Sequence, residues 1–140
     1  MMVDKKKLNR FIEKSGISFV VLFGSRGARE DSDIDIGVLM KKGMSINNMD
    51  SYSEILQGLS DALGVPDYKI DLTDMITEDI LLRYEVMCKG EFLGGNDMAY
   101  EEMKAFSFRE YHDAKSLFRL EDLLIRRKQE HIKEKLKEND

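Results

Sequence analysis

Asp33 and Asp35 are separated by one residue at the head of the stretch Asp33-Ile-Asp-Ile-Gly-Val-Leu-Met40. An extended strand points every second side chain to the same face, so the two carboxylates stand side by side. Held that close, they repel one another and lose hydration unless a cation lies between them. Mg²⁺ suits such a pair, because it prefers hard oxygen ligands and commonly shares them with phosphates. Upstream, Gly24-Ser25 closes an apolar run at a point where backbone N–H groups can face an anion. Gly24 lets the backbone approach a phosphate with no Cβ in the way. Ser25 adds a hydroxyl and an N–H at what reads as a helix N-terminus, an anion site by geometry and dipole. Arg26 and Arg29 follow in the connection, and their planar forks suit bidentate phosphate recognition, with ordinary loop charge as the competing reading for each. Ser32 fits a cap or turn and stays unassigned. Residues 19–40 thus look like half of a phosphoryl- or nucleotidyl-transfer site.

These residues need strands to carry them. Ile17 to Phe23 is a nearly unbroken apolar, β-branched and aromatic run, which suits a central strand covered on both faces. Residues 33–40 make the second strand. Asp33, Asp35, Gly37 and Leu39 share one face; Ile34, Ile36, Val38 and Met40 share the other, which is the core face. Ahead of both, residues 4–15 place Leu8, Phe11 and Ile12 at helical spacing and stop at Gly16, a good residue for ending a helix. From Asn47 to Leu63, Met49, Tyr52, Ile55, Leu56, Leu59 and Leu63 recur at three and four, the pattern of an amphipathic helix, and Gly64-Val-Pro-Asp breaks it. Tyr68-Lys-Ile-Asp-Leu-Thr alternates as a third strand, with Tyr68, Ile70 and Leu72 apolar and Lys69, Asp71 and Thr73 polar. Thr77 is placed to cap a helix running to about Lys89, with Ile80, Leu81, Tyr84 and Met87 inward. Gly90 to Gly95 is long enough only for an edge strand or turn.

Residues 97–137 contain neither proline nor glycine. One helix of that length would run about 60 Å, more than the width of a domain this size, so it either breaks near Asp113 to Arg119 or projects as an arm. Met103, Phe106, Leu117, Leu120 and Leu124 supply an apolar stripe, widened by Phe108, Tyr111 and Phe118. Beyond Ile125 the segment 126–138 carries six basic and three acidic residues, net +3.

The 140 residues fit one domain, and 42% hydrophobic against 35% charged composition gives a real core beneath a charged surface. A net charge of −5 disfavours strong nucleic-acid binding. The one cysteine, Cys88, cannot form an internal disulfide and reads as a small packed residue on a helix. The basic start lacks a following apolar h-region, and no stretch approaches the roughly 20 apolar residues of a membrane span. A soluble, cytoplasmic chain with no membrane contact is expected.

Helix, strand, Gly-Ser, strand with Asp-x-Asp, helix, strand with Asp is an order that resembles the nucleotidyltransferase fold of the DNA polymerase β superfamily. The match lies nearest its minimal nucleotidyltransferases. It rests on Phe23-Gly-Ser-Arg-Gly-Ala-Arg-Glu-Asp-Ser-Asp-Ile-Asp-Ile and on the later Lys69-Ile-Asp-Leu, with seven residues between Ser25 and Asp33. The resemblance implies an α/β (α+β) fold, a small mixed β-sheet with helices packed on it. Residues 1–95 would be the catalytic domain and 96–140 a helical extension packing on it, its end free to project. The family places a third carboxylate on a neighbouring strand, and Asp71 is the matching position. Asp74 is its rival, though it falls past the strand in a cap or turn. Asp33, Asp35 and Asp71 would then be the catalytic and metal residues, and Gly24, Ser25, Arg26 and Arg29 would bind the nucleotide.

The resemblance further implies Mg²⁺ as cofactor, ATP as donor and a HEPN-type toxin as partner. The chain would be the antitoxin of a type VII pair, transferring AMP to a tyrosine of that toxin. The small catalytic fold agrees with an acceptor delivered by another protein, and the long C-terminal helix is suited to docking it. Neutralisation by binding alone, and nucleotidyl transfer to RNA or a small molecule, are the alternatives. Self-adenylylation on one of the five tyrosines and homo-oligomerisation stay open. His112 reads as a surface or packing residue, Lys41 and Lys42 as solvent-facing. Arg126 and His131 reproduce the Arg-x₄-His spacing of HEPN ribonucleases, but with Lys133 two residues on and no bundle around them the match reads as coincidence.

Overall fold

The apolar run expected to be a covered central strand is β1, Ile17–Phe23. A computed structural model describes residues 3–24, 33–47, 49–77 and 79–138 of the chain. β2 (Ile34–Met40) pairs antiparallel with β1, β3 (Ile70–Asp74) pairs parallel with β2, and β4 (Glu91–Gly95) pairs antiparallel with β1. The mixed sheet therefore runs β3-β2-β1-β4. A parallel pair needs a crossover, and α2 (Met49–Leu63) supplies it between β2 and β3.

Helices cover both faces. On one side α1 (Lys5–Ser15) and α2 close over Val20, Leu22, Ile34, Ile36, Val38 and Met40 with Leu8, Ile12, Ile55, Leu59 and Leu63. α1 starts where the Asp4 carboxylate accepts from the Lys7 N–H at 3.1 Å and stops at Gly16, whose φ of 75° is left-handed. On the other side α3 (Ile80–Lys89) and the start of α4 (Asp97–Glu138) pack Val86, Met87 and Tyr100 against Phe19 and Val21. Each such side chain, fully buried, contributes roughly 1.5–3 kcal/mol.

The face of β2 bearing the aspartates is thus core as well beyond its first turn of strand. A Cβ on buried Gly37 would lie 2.8 Å from the Met75 sulfur and 3.0 Å from Val86 Cγ1, so glycine is what lets α3 sit down on the strand.

Three expectations need correction, and one open alternative is decided. Residues 67–69 form a 3₁₀ turn rather than strand, which takes Tyr68 out of the apolar set and leaves it 76% exposed; Lys69 ends that turn. The cap of α3 is Asp79, which accepts from the Leu82 N–H at 3.0 Å, whereas Thr77 accepts from the Asp79 N–H. Leu81 faces solvent, and Val86 takes the inward place beside Met87. α4 does not break. Its 42 residues are one helix, about 63 Å long, and from Lys115 to Glu138 every residue is exposed. An Asp122–Arg126 pair at 3.1 Å supports the helix on its own surface.

Candidate active site

β1 ends and β2 begins at the same edge of the sheet, so Phe23 is paired with Asp35. Gly24 follows with φ 79°, in the left-handed region where a side chain is strained. The reason is visible beside it. A Cβ at Gly24 would overlap an Asp35 carboxylate oxygen and lie 3.0 Å from Asp35 Cγ. The glycine expected to clear room for a phosphate clears room first for a carboxylate.

The parallel pairing of β2 and β3 sets Asp71 directly beside Asp35. Asp71 and Asp33 are exposed and Asp35 is half-buried. Burial pushes the Asp35 carboxyl above the ordinary carboxylate range, and the charges of Asp71 and then Asp33 push it further. Three carboxylates thus lie at the same end of the sheet, Asp33 and Asp35 at the start of β2 and Asp71 beside Asp35 on β3. The rival Asp74 lies farther along β3, opposite Val38, and its carboxylate accepts from the Ile76 N–H at 2.9 Å. That is the work of a turn.

Hard oxygen donors near enough that Asp71 and Asp33 help to raise the Asp35 carboxyl suit a divalent cation, which would relieve the repulsion. As they stand they are not closed around a point: among the described residues, no three His, Cys, Asp or Glu side chains are grouped to hold a metal ion. Ser25, Arg26 and Arg29, together with Ser32, lie outside the described residues.

Residues 6–99 match the family described as Polymerase beta, Nucleotidyltransferase. The chain belongs to that family. Solved structures agree on the fold of this nucleotidyltransferase. It is similar to a chain of a toxin–antitoxin with AMP-PNP, at 23% identity and TM-score 0.61, over 87% of this chain and 99% of that one. It is similar to a chain in the complex of tri-AMPylated Shewanella oneidensis HEPN toxin with MNT antitoxin, at 23% identity and TM-score 0.57, over 86% and 95%. A chain of the toxin–antitoxin MntA–HepT matches at 22% identity and TM-score 0.58, over 86% and 96%. A search of curated proteins finds no match.

Outside this end of the sheet, no second group of this kind is present among the described residues of the nucleotidyltransferase. Cys88 is half-buried with its thiol 4.0 Å from the Lys104 carbonyl, and burial pushes its pKa up, so it is a poor nucleophile. His112 is exposed and edge-on to Tyr84, which stacks on Tyr111 at 4.0 Å between ring centres. Arg126 is paired with Asp122, and His131 is exposed on the distal arm. No described helix is long and apolar enough to cross a membrane. Sequence reading missed that the aspartate face continues into a second core. The signal was present in Gly37, a residue without bulk amid a β-branched strand.

Proposed function

We propose that this chain is a Mg²⁺- and ATP-dependent protein adenylyltransferase, the antitoxin partner of a HEPN-type toxin in the cytoplasm, moving AMP onto a tyrosine of that toxin. The observation that carries the reading is the register of Asp35 against Asp71 beneath Gly24, which draws like charges together at one sheet edge. Structures of a HEPN toxin with an MNT antitoxin and of a toxin–antitoxin with AMP-PNP, similar in fold, support the partner and the donor.

In this reading residues 1–95 are the catalytic domain, and 96–140 a helical extension. Gly24 and Ser25 present backbone to the triphosphate, and Arg26 and Arg29 neutralise its charge. Asp33, Asp35 and Asp71 would hold Mg²⁺, which when bound supplies charge stabilisation to the phosphates. Asp71, exposed at the mouth of the site, accepts the proton of the attacking tyrosine hydroxyl. A new bond forms between that oxygen and the α-phosphorus, the α–β anhydride bond breaks, and pyrophosphate leaves.

The test is incubation with labelled ATP, Mg²⁺ and the neighbouring gene product. Label should enter a tyrosine of that protein and fall by about 10²-fold or more with Asp33→Asn plus Asp35→Asn, the scale for removing electrostatic stabilisation. Label unchanged in the double variant would sink the proposal. One observation favours a second reading, neutralisation by occlusion: the carboxylates are not gathered into a closed ligand set. Protection of cells that survives the same double variant selects it.

A further inference from the structure

Beyond Ala114 the exposed part of α4 runs about 36 Å at 1.5 Å per residue, and five of its eight exposed large apolar side chains fall at a spacing of seven, Leu120, Leu123 and Leu136 standing outside the pattern. Leu117 and Leu124 are seven residues apart, as are Phe118, Ile125 and Ile132, and as are Glu121, Lys128 and Lys135. Seven residues bring a helix through nearly two turns, so these sets form three columns along one side. The two apolar columns flank the charged one, and Leu117, Phe118, Leu124, Ile125 and Ile132 are all exposed large hydrophobics. A face of this kind, left open to water, marks an interaction site.

We propose that a second copy of this chain docks on that face, antiparallel, with the twofold axis between Leu124 and Ile125. The charge order is what selects this occupant. In the antiparallel register Glu121 of each copy faces Lys128 of the other, Leu124 faces Ile125, and Leu117 faces Ile132. A parallel pair would instead place Glu121 on Glu121, Lys128 on Lys128 and Lys135 on Lys135. Like charges opposed at a seam cost stability and set orientation.

The longer pattern agrees. From Glu110 to Asp122 the helix carries four acidic and two basic residues, and from Arg126 to Lys137 six basic and two acidic. Antiparallel pairing lays the basic stretch of one copy along the acidic stretch of the other. Length fits as well, since the same register brings Glu138 opposite Tyr111, where the other copy's α4 stacks on its own α3 through Tyr84. The exposed arms overlap over nearly their whole length, and each tip ends at the other's body.

Sedimentation equilibrium of the full chain tests the pairing, with circular dichroism as a check that α4 stays helical. Wild type should sediment at twice the 16.2 kDa chain mass, and Ile125→Asp, an exposed position, at the monomer mass. Glu121→Lys should weaken dimerisation about tenfold or more, and Glu121→Lys combined with Lys128→Glu should restore it, since the pair is then reversed rather than lost. A monomeric wild type overturns the proposal, including one whose arm becomes protected only when a different protein is added. So does a dimer that persists in Ile125→Asp, or a charge-reversed variant that fails to recover.

Discussion

Gly24→Ala separates two costs that the site edge combines. The first is conformational: φ at this position is 79°, and an L side chain in the left-handed region costs about 1 kcal/mol. The second is steric. The added methyl would overlap an Asp35 carboxylate oxygen, so the carboxylate must turn or the strand end must move, at roughly 1–3 kcal/mol by analogy with overpacked cores. Together they should lower the unfolding free energy by about 2–4 kcal/mol. In an Asp35→Ala background the nearest remaining Asp35 atom is its Cβ at 3.3 Å, a tight contact that a small shift relieves. There the same substitution should cost only the conformational part, about 1 kcal/mol. Urea unfolding of the four proteins in the cycle gives the coupling directly. If Gly24→Ala costs the same in both backgrounds, the glycine does not make room for Asp35 and the reasoning about this edge fails.

Two other outcomes follow from the same geometry. Folded Asp35 keeps its proton to higher pH than the unfolded side chain, so its stabilising contribution is present in acid and lost as pH rises through the raised folded value. At neutral pH its charge opposes folding, and Asp35→Asn should stabilise the metal-free protein by about 0.5 kcal/mol once solvent screening is allowed for. That gain should vanish below about pH 4, as thermal melts at two pH values will show; a variant less stable than wild type at pH 7 contradicts the assignment. Asp79→Ala should cost about 1 kcal/mol through loss of the α3 cap, while Thr77→Ala, whose hydroxyl accepts the Asp79 N–H ahead of the helix, should cost less in the same melts.

Much of this fold was legible because period and burial agreed. Ile17–Phe23 reads as a two-faced strand and is one; Leu8 and Ile12, or Ile55, Leu59 and Leu63, fall on single helix stripes and are buried. The Asp33–Asp35 alternation and the placement of Asp71 on a strand were readable for the same reason. Errors came where local chemistry competes with period. Tyr68 continues an alternation but lies in a 3₁₀ turn after Pro66, since a fixed φ just before it favours a turn. Thr77 and Asp79 are both good caps, and spacing alone does not rank them. The closeness of Asp35 to Asp71 was readable only through the family resemblance and not from period, because it depends on parallel pairing made through α2. Likewise, a helix lacking breakers could bend or project, and only the tertiary arrangement shows that the core ends near Ala114.

The parallel pair has a consequence for how the site comes and goes. β3 is an edge strand, joined within the described sheet only to β2, whereas β1 and β2 are each held on both sides. An edge strand can lift away in a local fluctuation that leaves the central strands paired. Two carboxylates ride on β2 or its threshold and the third on β3, so such an opening would dismantle the trio while the fold survives. Repulsion between Asp35 and Asp71 favours the opened arrangement, and anything positive bound between them favours the closed one. Whatever occupies the site would therefore also fasten the edge of the sheet, making occupancy and local order a single equilibrium.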